Sequence, residues 1–112
     1  MDNMKNFTQL KEQVLEEKVG TIYDKTPKTL EDAENPEVLV QGFGRLRLNQ
    51  VYDLIQKKVN ELSKLSKSKN YNGMKSTMKM LTLFMDAADE VEKEMNTSQY
   101  KRKLTMLRKV SR

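Results

Sequence analysis

Two amphipathic stretches of about 20 residues, separated by a polar segment, constrain this 112-residue chain most strongly. Apolar residues recur every three or four positions over about 45–66 and about 74–95, as they do on one face of a helix. The segment between them, 66–73, is polar and ends in Asn72-Gly73, which is typical of a turn. The sequence therefore predicts a central antiparallel helical hairpin. Across it, we expect Leu48, Tyr52, Ile55, Val59 and Leu62 to face Met78, Leu81, Met85, Ala88 and Val91.

The composition predicts an all-α protein with a thin core. Hydrophobic residues make up 37% and charged residues 33%, a balance that suits an elongated helical chain or one that completes its core with a partner. Six Gly and Pro residues are too few for a many-turned β fold. We expect one structural domain. It comprises an acidic N-terminal helix and connector over 1–41, and the hairpin with a basic C-terminal helix over 42–112.

The chain contains neither Cys nor His, which removes disulfides, thiolate zinc sites and histidine acid–base chemistry. Asp86, Asp89 and Glu90 share a predicted helix face, but no nucleophile or calcium-binding loop accompanies them. The sequence therefore predicts a protein that is not an enzyme, with no cofactor, no metal and no evident small-molecule substrate.

Hydropathy predicts a protein without a membrane span. No apolar run approaches the roughly 20 residues that a spanning helix needs, and the start of the chain lacks the apolar core of a secretory signal. Lys- and Asn-rich usage is typical of AT-rich genomes such as those of bacteriophages. We therefore expect the protein in the bacterial cytoplasm, or in a phage particle if it is phage-encoded.

The N-terminal segment is predicted to form a short helix over 5–19. Asn6 and Gln9 have the spacing of a capping box, and Gly20 is a C-terminal stop signal. Two roles stay open for this helix. It packs on the hairpin, or it docks into a groove of a partner.

The connector is predicted to be irregular. Thr29 is a predicted N-cap of one or two helical turns that stop before Pro36, whereas 38–40 suits either a short helix or an extended strip. We interpret 42–44, Gly-Phe-Gly, as a hinge into the long helix, with Phe43 anchored on the hairpin base. A phosphate-binding loop is the weaker alternative.

A basic helix is predicted to run from 96 to the end of the chain. Asn96 and Gln99 repeat the capping-box spacing. Its apolar stripe comprises Tyr100, Leu104, Leu107 and Val110.

Charge is distributed unevenly along the chain. Residues 1–41 carry five Lys against nine acids, a net charge of −4. Residues 42–96 carry ten cations against seven acids, a net +3, and 97–112 carry six cations and no acid. An acidic front and a basic tail predict self-complementary association or an acidic partner for the tail.

Cations cluster at the predicted hairpin tip and acids at its base. On the second helix both groups oppose the macrodipole, at a cost of a few tenths to about 1 kcal/mol each. They form a solvated face, or the tip contacts an acidic group and the base a basic one, such as Arg45, Arg47 or the C-terminal helix. The tip residues are Lys64, Lys67, Lys69, Lys75 and Lys79, and the base residues are Asp86, Asp89, Glu90, Glu92 and Glu94.

The eight methionines favour a protein-interaction function. Four of them lie within 74–85, and methionine makes adaptable binding surfaces as well as filling cores. Met80 and Leu83 lie off the main stripe, so a third helix or another subunit is expected to cover the second helix. We predict a helical assembly or accessory protein that binds another protein or copies of itself. The predicted partner-binding residues are Met74, Met78, Met80, Leu83, Phe84, Leu104 and Leu107.

Nucleic-acid binding is the alternative. The basic helix could contact the phosphate backbone of DNA or RNA, and by running back along the hairpin it could join the tip lysines in one stripe. Against this, Tyr100 is its only aromatic residue for base stacking. The residues concerned are Lys64, Lys67, Lys69, Lys75, Lys101, Arg102, Lys103, Arg108, Lys109 and Arg112.

Overall fold

A computed structural model describes residues 19–110 of the chain. The predicted N-terminal helix lies outside these residues except for Val19, and Arg112 lies outside them as well. In chain order the elements are β1 (Gly20–Ile22), α1 (Leu30–Glu34), β2 (Glu37–Val40), β3 (Gly44–Arg47), α2 (Leu48–Lys67), α3 (Tyr71–Met95) and α4 (Ser98–Val110).

A three-stranded antiparallel sheet, in the order β1-β2-β3, corrects the all-α prediction. Ile22 pairs with Val38, and Val40 pairs with both Gly20 and Gly44. Ile22, Val38 and Val40 are buried, because alternate residues of a strand point to the same face. These β-branched residues favour strands, but runs of three or four residues are too short to show a period.

The Gly-Phe-Gly segment forms the turn between β2 and β3, not a hinge into a helix. Gly42 and Gly44 have φ values of +83° and +76°, in the left-handed region that favours glycine. The Phe43 amide donates a hydrogen bond to the Val40 carbonyl oxygen at 2.9 Å. Phe43 does anchor on the hairpin, since its ring centroid lies 4.8 Å from that of Phe84 in α3.

Gly20 begins a strand and does not end a helix, which corrects its predicted role as a stop signal. Its backbone crosses α3 at Ala87, and a Cβ on Gly20 would lie 2.6 Å from the Ala87 Cβ. Glycine is therefore required here by close approach of β1 to α3.

The antiparallel hairpin of α2 and α3 is confirmed, with corrected ends. The first helix begins at Leu48 rather than 45, because the preceding residues pair with β2. The turn is confined to 68–70, so Gly73 lies in α3, where its amide donates to the Asn70 side-chain oxygen at 3.0 Å. That bond caps the helix start.

The core lies at the hairpin base, where the sheet covers the two helices. Leu48, Ala88 and Val91 are buried there as predicted. The predicted packing is wrong for four other members of the facing stripes, whose exposed fractions are 42% for Tyr52, 43% for Val59, 51% for Met78 and 52% for Met85. Two helices cover only the line along which they touch, and the sheet does not extend along the hairpin. The buried apolar residues are Ile22, Ala33, Val38, Val40, Leu48, Val51, Phe84, Ala87, Ala88, Val91 and Tyr100.

The N-cap predictions for α1 and α4 differ in outcome. The predicted cap of α1 is confirmed, since the Thr29 hydroxyl oxygen accepts from the Asp32 amide at 3.1 Å. The predicted cap at Asn96 is wrong, because α4 begins at Ser98 and the Thr97 hydroxyl oxygen accepts from the Tyr100 amide at 3.3 Å. Asn96 instead ends α3.

Candidate protein-interaction surface

One flank of the hairpin carries a continuous set of apolar side chains. On α3 they recur at spacings of four, three and four, and on α2 two of them lie seven residues apart, so each set occupies one side of its helix. The Tyr52 hydroxyl donates to the Glu92 Oε1 at 2.6 Å, and Glu92 lies two turns beyond Met85. This bond places the two flanks on the same side of the hairpin. We call this surface the methionine face; its residues are Tyr52, Val59, Met74, Met78, Leu81 and Met85.

The methionine face lies away from the sheet. Ala87, against which Gly20 of β1 packs, is two residues from Met85 and therefore points about 200° around the helix from it. Met80 and Leu54 pack against the core. The sheet thus covers the other side of α3 and leaves Met78 and Met85 about half exposed.

The predicted partner-binding residues divide between the surface and the core. Met74 is half-buried on the methionine face and Met78 is exposed there, whereas Leu83 is half-buried. Phe84 is only 1% exposed, and its ring packs at a tilt against that of Phe43, so it is a core residue. Met80 is half-buried against the core, and Leu104 and Leu107 are half-buried on α4.

Sequence reasoning assigned Tyr52, Val59, Met78 and Met85 to the hairpin interior, yet they are exposed on the methionine face. Their periodicity identifies the stripe but does not tell what covers it. A usable signal was the width of the stripe, because a two-helix hairpin buries a narrower seam than a helix in a layered core.

The hydrogen bond between Tyr52 and Glu92 lies at the end of the methionine face that is nearest the hairpin base. Burial, and then the hydrogen bond to the Glu92 carboxylate and its charge, raise the pKa of Tyr52 to about 12. The phenol therefore stays protonated at neutral pH and acts as a donor. It holds α2 and α3 together where the face begins.

Charges of opposite sign flank the methionine face along α3. Lys75 and Lys79 are exposed toward the tip, and Asp86 and Asp89 are exposed toward the base. Asp89 also forms an ion pair with Lys93, whose Nζ lies 3.2 Å from the Asp89 Oδ2. Both side chains are more than 60% exposed. The methionine face is thus apolar along its centre, with positive charges beside it toward the tip and negative charges toward the base.

The base arginines pair with the N-terminal acids and not with the acids of α3. Arg47 contacts Asp32 at 2.8 Å and Glu37 at 3.7 Å. Arg45 contacts Glu37 at 3.4 Å and lies over the Tyr23 ring at 4.2 Å from its centroid. The hydrogen bond from Arg47, and then that from Thr29, hold the pKa of the Asp32 carboxyl below its ordinary value.

The basic residues of α4 and of the hairpin tip do not form one stripe. α4 packs on α1 at the base, where Arg108 contacts Glu34 at 3.7 Å. The tip lies about 30 Å away along α2, which has 20 residues. Lys101, Arg102 and Lys109 are exposed on α4 and Lys103 is half-buried, while Lys64, Lys67, Lys69 and Lys75 are exposed at or near the tip.

The sequence matches no protein-family model and no curated protein, and the fold matches no solved structure. Within residues 19–110, no helix is long and apolar enough to cross a membrane. Over the same residues, no three acidic side chains come close enough together to hold a metal ion. Function is therefore inferred from the methionine face and the charges around it.

Proposed function

We propose that this protein is a non-enzymatic assembly or accessory subunit that contacts another protein chain through the methionine face. The observation that carries the proposal is the half exposure of Met78 and Met85, beside Tyr52 and Val59, on the part of the hairpin that the sheet does not cover. Its proposed place of action is the bacterial cytoplasm or a phage particle, which its composition favours.

The chemistry of the methionine face suits protein contact. Large exposed apolar patches are uncommon on monomeric proteins and mark interaction sites. The methionine side chain is flexible and polarizable, so it adjusts to a partner surface at small cost. Tyr52 adds a rigid aromatic group, and tyrosine is enriched where interfaces bind tightly.

Contact with a second chain would also complete the packing of the hairpin. Leu62, Leu65, Met74 and Leu81 are half-buried, and Thr77 is the one buried residue of α3 between its start and Phe84. Apolar area removed from water contributes about 25 cal/mol per Å². A partner that covers this face therefore stabilises the hairpin and gains affinity from the same side chains.

Site-specific photocrosslinking tests the proposal. A benzoylphenylalanine at Met78 in the full chain, irradiated in the host cell, should give discrete protein adducts that mass spectrometry identifies. The same photoreactive residue at Lys57, which is exposed on α2 and points about 200° around the helix from Val59, is the matched control for exposure. Equal adduct formation at 57 and 78, or none at 78, would contradict the proposal.

Nucleic-acid binding is the second candidate, favoured by the exposed Lys101, Arg102 and Lys109 on α4. Such contacts go to phosphates and give weak sequence preference. Replacing these three residues by Gln should abolish binding to mixed-sequence DNA or RNA at low salt, and added salt should weaken wild-type binding steeply. The control replaces the tip residues Lys64, Lys67 and Lys69 by Gln. No binding by the wild-type chain at low salt would exclude this candidate.

A further inference from the structure

We infer that the methionine face binds a second copy of this chain, with the two α3 helices antiparallel and the two-fold axis near Thr82. This inference rests on the proposed function and names its partner. It commits to a symmetric dimer in which each hairpin covers the other.

The charges on α3 carry the inference, because they are self-complementary about one point. Lys75 and Asp89 lie seven residues either side of Thr82, and Lys79 and Asp86 lie three and four residues from it. A two-fold axis makes every contact occur twice. Each lysine near the tip therefore meets an aspartate of the second copy.

The apolar residues are centred within one residue of the same point. Met78 and Met85 lie four and three residues from Thr82, so each Met78 meets Met85 of the second copy in the register that pairs the charges. Both side chains are about half exposed in the single chain. One register thus satisfies the apolar and the charged groups together.

A parallel arrangement fails on charge. It places Lys79 beside Lys79 and Asp86 beside Asp86 of the second copy, and like charges repel at such contacts. The antiparallel dimer also accounts for charges that oppose the macrodipole of α3, since Lys75 and Lys79 lie near its N-terminal half and the acids near its C-terminus. The second copy supplies a counter-charge at both ends.

The pair formed by Lys79 and Asp86 gives the cleanest test. Asp89 already has Lys93 as a partner at 3.2 Å, although exposed pairs of this kind contribute little. Lys79 and Asp86 are exposed and lie seven residues apart, about 10 Å along one helix, so they do not pair within a chain. Reversing either charge changes two contacts in the dimer and none of the buried residues.

The experiment is sedimentation equilibrium of the full chain over a range of concentrations at low salt. We expect a monomer–dimer equilibrium that Lys79→Glu and Asp86→Lys each weaken by about tenfold or more. An equimolar mixture of the two variants should regain dimers, because each contact then joins opposite charges. Added salt should reduce these differences.

Lys57→Glu is the matched control, since Lys57 is exposed and lies about 200° around α2 from Val59. It makes the same charge change as Lys79→Glu and should leave dimerisation unaltered. Far-UV circular dichroism checks that every variant is folded. Weakening by Lys57→Glu to the same extent, or no recovery in the mixture, would overturn the antiparallel dimer.

A chain that stays monomeric at all concentrations would also overturn the inference. The photocrosslink at Met78 then separates the two claims. Adducts to a different protein would leave the proposed function standing, whereas no adducts would remove both.

Discussion

The Tyr100 hydroxyl donates a hydrogen bond to the Ala33 carbonyl oxygen at 2.7 Å, joining residues 67 positions apart. Ala33 is fully buried and Tyr100 is 7% exposed. Burial, and then the charges of Asp24, Glu94 and Asp32, raise the pKa of Tyr100 to about 12. This contact fixes α4 on α1 and directs it away from the hairpin tip.

Tyr100→Phe should destabilise the protein by about 1 to 3 kcal/mol, because it leaves a buried carbonyl oxygen without its donor. Urea unfolding measures the change, and hydrogen exchange should show faster opening in α4. Tyr71→Phe, at a tyrosine that is 65% exposed, is the control and should change little. Equal effects of the two substitutions would contradict the role given to Tyr100.

Gly20→Ala should destabilise the fold by about 1 to 3 kcal/mol, because its methyl group would overlap the Ala87 Cβ at 2.6 Å. Ala87→Gly should cost about 1 to 2 kcal/mol through helix propensity and the loss of a buried methyl group. Thermal unfolding of the double variant should show a smaller loss than the sum of the two single losses. Strict additivity would mean that the two residues do not touch.

Two identical substitutions on α2 should differ according to their distance from the sheet. Val51 is fully buried at the base, so Val51→Ala should cost about 1.5 to 3 kcal/mol. Val59 is 43% exposed on the methionine face, and Val59→Ala should cost less than about 1 kcal/mol. Chemical unfolding of dilute protein measures both, and equal costs would show that the hairpin is packed along its whole length.

Alkaline pH should weaken the fold through Tyr52 and Tyr100, whose pKa values are raised from 10.0 to about 12. A phenol with a higher pKa in the folded chain contributes stability that is complete below its unfolded value and is lost as pH rises through its folded value. The free energy of unfolding should therefore fall between pH 10 and about 12. The Tyr52→Phe/Tyr100→Phe variant should show a shallower fall in urea titrations, and an equally steep fall would contradict this linkage.

The hairpin could be predicted from sequence because its apolar period repeats over many turns. Its beginning could not, since Arg45, Leu46 and Arg47 fit either a helix or a strand when taken alone. Their state is set by pairing with Glu37, Val38 and Leu39 across a tight turn. A contact of that kind is tertiary and leaves no local period.

The sheet was missed for the same reason. β1 has three residues, and β2 and β3 have four each. A glycine such as Gly20 fits either the end of a helix or a strand that closely approaches another backbone. The two glycines of 42–44 were interpreted as a hinge into the long helix, and the strands on both sides of them were not predicted. Only the pairing of β1 with β2 decides between the alternatives.

The candidate site was half predictable. Periodicity identified the stripes, and methionine content suggested an adaptable surface. Met78 is exposed, as such a surface requires. Phe84 and Met85 are adjacent in sequence yet lie in the core and on the surface respectively. That difference depends on which side of α3 the sheet covers, and the apolar periodicity of the sequence gives no information about this.

Oxidation of the methionines by dilute hydrogen peroxide, followed by mass spectrometry, tests the central claim most directly. Met106 is 61% exposed and serves as the open reference, and Met80, packed against the core, serves as the covered one. We expect Met78 and Met85 to react at about the rate of Met106 in dilute protein and more slowly as the concentration rises. Rates as slow as that of Met80 at every dilution would show that the chain covers this face by itself, and would contradict the account.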